Sequence, residues 1–153
     1  MGELYAKRLK QQEWVKEVQA RLTKAFRVLR HRHKMLARQR FMCCQSCAGS
    51  ALAEEFRGKL DPEAFGGVVL TTKQTGVLIE PVPRRMGGGW PRIHDLWINF
   101  GKLEIDGEEF GPDTTEVGKL VAQVFDEVGV PYEWDGDPEK RIKVVPLAGR
   151  ERV

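Results

Sequence analysis

The chain has 153 residues, 41% of them hydrophobic and 31% charged, with a formal net charge of +3. That length supports one domain with a core of its own, and that composition excludes a disordered chain. No apolar run approaches the roughly 20 residues of a bilayer-spanning helix, which argues against a membrane role.

The charge is unevenly spread. Residues 1–42 carry twelve Lys/Arg against three acids, and the rest of the chain thirteen against nineteen. Such a split fits an arm that meets a polyanion, or an arm that docks on its own acidic body. The expected organisation is a single domain over 1–153: a basic helical arm (1–40), an α/β body (41–147) and a frayed tail (148–153). Glu3, Lys7, Arg8 and Lys10 come without an apolar stretch, so no secretory signal is expected. Three cysteines, two of them adjacent, make a poor disulfide framework and point to a reducing, cytoplasmic setting.

Residues 3–38 lack Gly and Pro and are rich in helix formers. Trp14, Val18, Leu22, Ala25, Phe26 and Leu29 recur at three- and four-residue steps, which predicts a long amphipathic helix with room for one break. Arg27, Arg30, Arg32 and Lys34 are the candidate polyanion contacts. Their place near the C-terminal end equally suits a solvated face matched to the helix dipole. Exposed aromatics do not interleave with these cations, as a single-strand binder would require.

Phe41-Met42-Cys43-Cys44-Gln45-Ser46-Cys47 holds every cysteine. A second helix is expected over Ala48–Phe56, with Ser46 as its cap and Gly58 as its stop. Asp61-Pro62-Glu63 predicts a single helical turn, cut off by Gly66-Gly67. Val68–Thr72 reads as a strand, and Gly76–Val82 as its hairpin partner, confined to an edge by Pro81 and Pro83. Pro83 to Pro91 is a surface loop, and its Gly87-Gly88-Gly89 run lacks the lysine and context of a phosphate loop.

Leu96, Ile98 and Phe100 alternate with Trp97 and Asn99, a strand buried on at least one face. Asp113-Thr114-Thr115-Glu116 reads as a capping box for a helix whose apolar face is Val117, Leu120, Val121, Val124 and Phe125, ended by Gly129. Tyr132–Trp134 and Arg141–Val145 are strand-like, joined by an Asp135-Gly136-Asp137-Pro138 turn. The expected fold is α+β, with a long N-terminal basic helix and a second helix on one face of a small mixed sheet, and one βαβ crossover around the third helix.

Three blocks of this sequence stand in a familiar order and spacing. They are Arg21-Leu22-Thr23-Lys24-Ala25-Phe26, the run Ala37 to Cys47, and Gly129-Val130 followed by Glu133-Trp134-Asp135-Gly136 and Arg141-Ile142. Over residues 21–145 the chain resembles an uncharacterised bacterial domain-of-unknown-function family with a Phe-x-Cys-Cys-Gln-x-Cys segment and a C-terminal Glu-Trp-Asp-Gly turn. The resemblance implies a stand-alone cytosolic protein and carries over no activity. Family members usually continue with Gly-His after the last cysteine, where this chain has Ala48-Gly49. After the first strand they tend to read Gln-Asp-Thr, where this chain has Gln74-Thr75-Gly76.

Three readings compete for Cys43, Cys44 and Cys47. Cys44-x-x-Cys47 has zinc-knuckle spacing, with Cys43 as third ligand and His31, His33, His94 or a carboxylate as the fourth. The same spacing at a helix start, beside Arg38 and Arg40, suits a redox-active thiolate. The third reading makes the cysteines small hydrophobes buried between helices and sheet. Two classes of function follow. One is a non-enzymatic accessory protein that meets a protein partner through the basic helix or around Trp90 and Trp97. The other is a thiol-dependent or zinc-binding protein using Cys43, Cys44 and Cys47 with His94. Nucleic-acid binding through the basic helix is a further alternative, and no catalytic residue is assigned.

Overall fold

The computed structural model describes residues 2–82, 85, 87 and 89–147. The expected frayed tail (148–153) and part of the glycine loop (83, 84, 86 and 88) lie outside them. Among the described residues are α1 (Gly2–Arg32), β1 (Leu36–Arg38), α2 (Gln45–Phe56), β2 (Val68–Leu70), β3 (Ile79–Glu80), β4 (Arg92–Ile93), β5 (Leu96–Gly101), β6 (Leu103–Ile105), β7 (Glu108–Phe110), α3 (Thr114–Val128), β8 (Tyr132–Glu133) and β9 (Ile142–Val144). The fold is α+β, and no described helix is long and apolar enough to cross a membrane.

A five-stranded mixed sheet, in the order β1-β2-β5-β9-β8, divides the molecule. Successive residues of a strand point to opposite faces, and here both faces are used. Val69, Leu96, Ile98, Ile142 and Val144 join Val15, Val18, Leu22, Phe26 and Leu29 of α1 and Val117, Val121, Val124 and Phe125 of α3 in the larger core. Val68 and Leu70 point the other way and meet Ala48 and Leu52 of α2, Phe65, and Leu103 and Ile105 of β6. So α2 does not share a face with α1, as the sequence had suggested. The doubly buried β2 puts a helix on each side.

The predicted stripe of α1 is buried at Val18, Leu22, Ala25, Phe26 and Leu29. The Trp14 indole N–H donates to the Pro146 carbonyl, and the Arg21 guanidinium lies 5.0 Å from the Trp14 ring centre. The helix stops at Arg32 instead of running to 38. The Leu29 carbonyl accepts from both His33 and Met35, and Lys34 takes a left-handed φ of 55°. Leu36–Arg38 then pairs in parallel with Val68–Leu70. Burial on the sheet outweighs helix propensity there.

Because β1 and β2 are adjacent and parallel with α2 between them, the βαβ unit surrounds α2. The crossover expected around α3 is looser: β8 runs parallel to β5, but β9 lies between them and antiparallel to both. Ile79–Glu80 pairs with Arg92–Ile93, not with β2 as expected, so the two short strands form their own ribbon. The β6–β7 hairpin was not anticipated, although its turn is an Asp-Gly pair. Asp106 (φ 53°) and Gly107 (φ 81°) adopt the two left-handed conformations that such a turn demands.

Asp61 behaves as predicted: its carboxylate accepts from the Glu63 N–H and its carbonyl from Phe65, closing one turn. Gly129 ends α3 at φ 87°, with its N–H donating to Phe125 O. Asp113 holds the cap position of α3, but its exposed side chain makes no capping bond, so the capping box does not form. The Glu-Trp-Asp-Gly turn is a structural lock. Asp135 and Asp137 accept backbone N–H groups two residues on, and Trp134 Nε1 donates to the Asp137 and Lys140 carbonyls.

Candidate metal centre

The cysteine segment is held from both sides. On one side Phe41 N–H donates to Thr71 O at 2.7 Å, Arg40 N–H to Thr71 Oγ1 at 2.7 Å, and Lys73 N–H to Met42 O at 2.9 Å. On the other, both nitrogens of the Arg38 fork donate to the Glu55 carboxylate on α2, at 2.9 and 2.7 Å. The Arg38 guanidinium also lies 5.0 Å from the Phe41 ring centre and 5.5 Å from that of Phe56. Arg38 therefore clamps the segment to α2. Its charge holds the Glu55 carboxyl below its ordinary pKa through the hydrogen bond they share.

Within this frame Arg40 (φ 52°) and Met42 (φ 60°) both sit in the left-handed region, uncommon for residues with a Cβ. Two such residues two positions apart turn the chain sharply into α2. Cys44 is the N-cap of α2, in extended conformation at φ −150°, and the helix begins at Gln45, three residues before the sequence-based boundary and without Ser46 as cap. Cys47 lies in the first turn, where backbone N–H groups have no intrahelical acceptor.

The result is a triangle of sulfurs. Cys43 Sγ and Cys44 Sγ each lie 3.4 Å from Cys47 Sγ, and 3.8 Å from each other. These separations are far beyond the ~2.05 Å of a disulfide. Cys43 is exposed and the other two half-buried, so the expectation of buried core thiols is overturned: Ala48 and Leu52 do the packing beneath. The Cys47 thiol is pushed up to about 11, first by the hydrogen bonds it shares with Cys44 and Cys43, then by repulsion from their charges. The helix dipole favours thiolates here, yet the triad resists holding several negative charges unless a cation joins it. A raised thiol at Cys47 is the opposite of what a nucleophile at that position needs.

The other predicted residues do not join the triangle. Among the described residues, the metal-capable group is Cys43, Cys44 and Cys47, with ligand atoms within 4.8 Å of one another. His94 Nε2 instead lies 3.1 Å from Glu80 Oε2 on the β3–β4 ribbon. Of the basic candidates, Arg32 is bonded to Glu127 of α3 at 2.7 Å, and Arg30 donates to the Ala37 carbonyl at 3.1 Å. Arg27 and Lys34 are exposed, and the Lys34 carbonyl accepts from Gly66 N–H. With Arg21 also donating to Gly129 O, much of the arm docks on its own body.

One buried residue escaped the sequence reading. Asn99 is only 6% exposed, and neither amide atom has a hydrogen-bond partner among the described residues. An Asn at the centre of the alternating run Leu96–Phe100 was its sequence signal, since Asn is depleted from strands.

The fold and site define a mixed α+β protein with a three-thiol cluster at a helix N-terminus. The chain belongs to the family described as "Domain of unknown function (DUF6891)", whose model matches residues 1–153, so the match extends beyond the three blocks that carried the resemblance. No curated protein and no solved structure matches the chain.

Proposed function

We propose that this protein is a non-enzymatic, cytoplasmic metal-binding protein that holds a thiophilic ion, zinc foremost, on Cys43, Cys44 and Cys47. The observation that carries this reading is the sulfur triangle. A tetrahedral zinc with Zn–S bonds of ~2.3 Å requires sulfur–sulfur edges of about 3.8 Å, against 3.4–3.8 Å here. Three sulfurs supply one face of such a tetrahedron, and the fourth position falls to water, a ligand or a partner. A bound dication would also reverse the electrostatics that keep the Cys47 proton in place.

Metal analysis of anaerobically purified protein and cobalt substitution test the reading. The expected outcome is one ion per chain and a thiolate-to-cobalt charge-transfer band that weakens with each Cys→Ser substitution. Substoichiometric metal with no such band would sink the reading. Because binding must displace the high-pKa proton of Cys47, apparent affinity should rise with pH and fall as acid is added.

A second reading, an accessory protein that meets a protein partner through the basic helix, draws support from α1. Leu4, Tyr5 and Leu9 are large apolar side chains exposed on its first turns. Replacing all three with Ser should abolish partner capture while leaving metal content unchanged, and capture that survives would dismiss the helix as the docking element.

A further inference from the structure

Away from the sulfurs, α2, β2, β5 and β6 enclose a cleft of about 450 Å³, within the size range of small-molecule sites. Leu52 and Ala53 form one wall, and Val68, Leu70 and Leu103 the floor. Asn99 stands opposite Leu70 in the antiparallel register and so projects from the sheet on this side. Its amide oxygen and nitrogen are both buried and both without a partner among the described residues. The other buried hydroxyls near the sheet are satisfied: Thr71 Oγ1 accepts from Arg40 N–H, and Thr72 bonds Thr75. Buried side-chain polar atoms are nearly always paired, so a doubly unpaired amide just beneath a cleft wall calls for a partner that the described residues do not supply.

We infer that this cleft binds a neutral, flat heterocycle with a hydrogen-bond donor and acceptor side by side, a nucleobase or nucleoside, whose edge is read by Asn99. An Asn amide offers a donor and an acceptor in one plane, the complement of such an edge. Both amide atoms lie beneath the cleft wall, so the Asn99 side chain changes rotamer as the ligand enters, and its soft terminal torsion then aligns the amide with the ligand edge. The apolar wall and floor suit a flat ring. At the rim Lys102 is 3.6 Å from Glu109 and Asp106 is 3.1 Å from Arg57, while Glu104 adds a further negative charge. Acids outnumber bases there, which disfavours phosphorylated ligands.

The inference does not depend on the metal reading. It is tested on the full chain by nuclear magnetic resonance titration with uracil, adenine, uridine and uridine monophosphate. At least one uncharged probe should bind saturably and shift the Asn99 side-chain amide pair, with the monophosphate weaker than uridine. Asn99→Leu should weaken binding by about tenfold or more. Gly49→Phe provides a second variant if that one fails to fold. Gly49 lines the cleft, and a Cβ there would meet nothing within 4 Å, so a phenyl ring is expected to fit at the cleft mouth, obstruct it and abolish binding. Silence of the Asn99 amides with all four probes, undiminished binding by either variant, or a monophosphate as tight as uridine would overturn the inference.

Discussion

The two faces of the central sheet are built to different standards. Against α1 and α3, the larger core is continuous and Phe26, Leu29, Val124, Phe125 and Ile142 are almost wholly buried. Against α2 and the β6–β7 hairpin, the cluster is smaller. It borders a cleft, contains an unpaired amide, and ends at three half-open thiols. An unpaired buried amide costs about 1–3 kcal/mol, and left-handed Arg40 and Met42 add strain. One face thus carries the better-packed core, and the other carries the unpaired amide, the left-handed residues and the half-open thiols.

Substitutions that treat the faces differently sharpen this contrast. Phe26→Ala, in the larger core, should cost about 3–5 kcal/mol in denaturant unfolding; a loss below about 1 kcal/mol would break the distinction. Gly118→Ala should cost about 1–3 kcal/mol although alanine is the better helix former. A Cβ at Gly118 would lie 2.6 Å from the Trp134 ring and 2.8 Å from Phe100, which meet edge to face at 5.4 Å. The Trp134 ring is pinned by its own N–H bonds and cannot swing clear.

On the other face the signs change. Asn99→Leu should be neutral or stabilising by about 1 kcal/mol, because it replaces an unsatisfied amide with an apolar group; a large loss would show that the amide has a structural partner. Cys47→Ser should alter metal-free stability by no more than about 0.5 kcal/mol, as for other substitutions outside the core, while removing any metal-dependent rise in melting temperature.

Smallest of all is the effect of Asp135→Asn in the Glu-Trp-Asp-Gly turn. Backbone bonding from Asp137 and then the Lys140 ammonium hold the Asp135 carboxyl below its ordinary range. A depressed carboxyl stabilises the fold above its unfolded pKa and loses that contribution as pH falls through the folded one. The gap between wild type and variant should therefore close in acid, and melting curves across pH would show it.

The sequence alone determined that the three described helices exist and which sides of α1 and α3 turn inward, because a 3.6-residue apolar period is a local property. It also determined the Gly129 stop, the Asp61 turn and the Asp135-Gly136-Asp137-Pro138 turn, where the signals are local residue types; the Trp134 and Lys140 bonds that lock the last turn emerge only in the structure. The cysteine spacing was legible as zinc-compatible for the same reason.

Only the tertiary structure decided the rest. The end of α1 at Arg32 was hidden because residues 33–38 favour helix, and pairing with a strand thirty residues on overrides that preference. The opposite placement of α1 and α2 depends on β2 being apolar on both faces, a run whose partners no local pattern names. Asn99 could be seen in the sequence, but not that both ends of its amide go unmet. The sulfur triangle needed the left-handed turns at Arg40 and Met42 and the pins to Thr71 and Lys73, contacts some thirty residues apart along the chain. Sequence spacing set which cysteines could meet, and long-range backbone bonding fixed that they do.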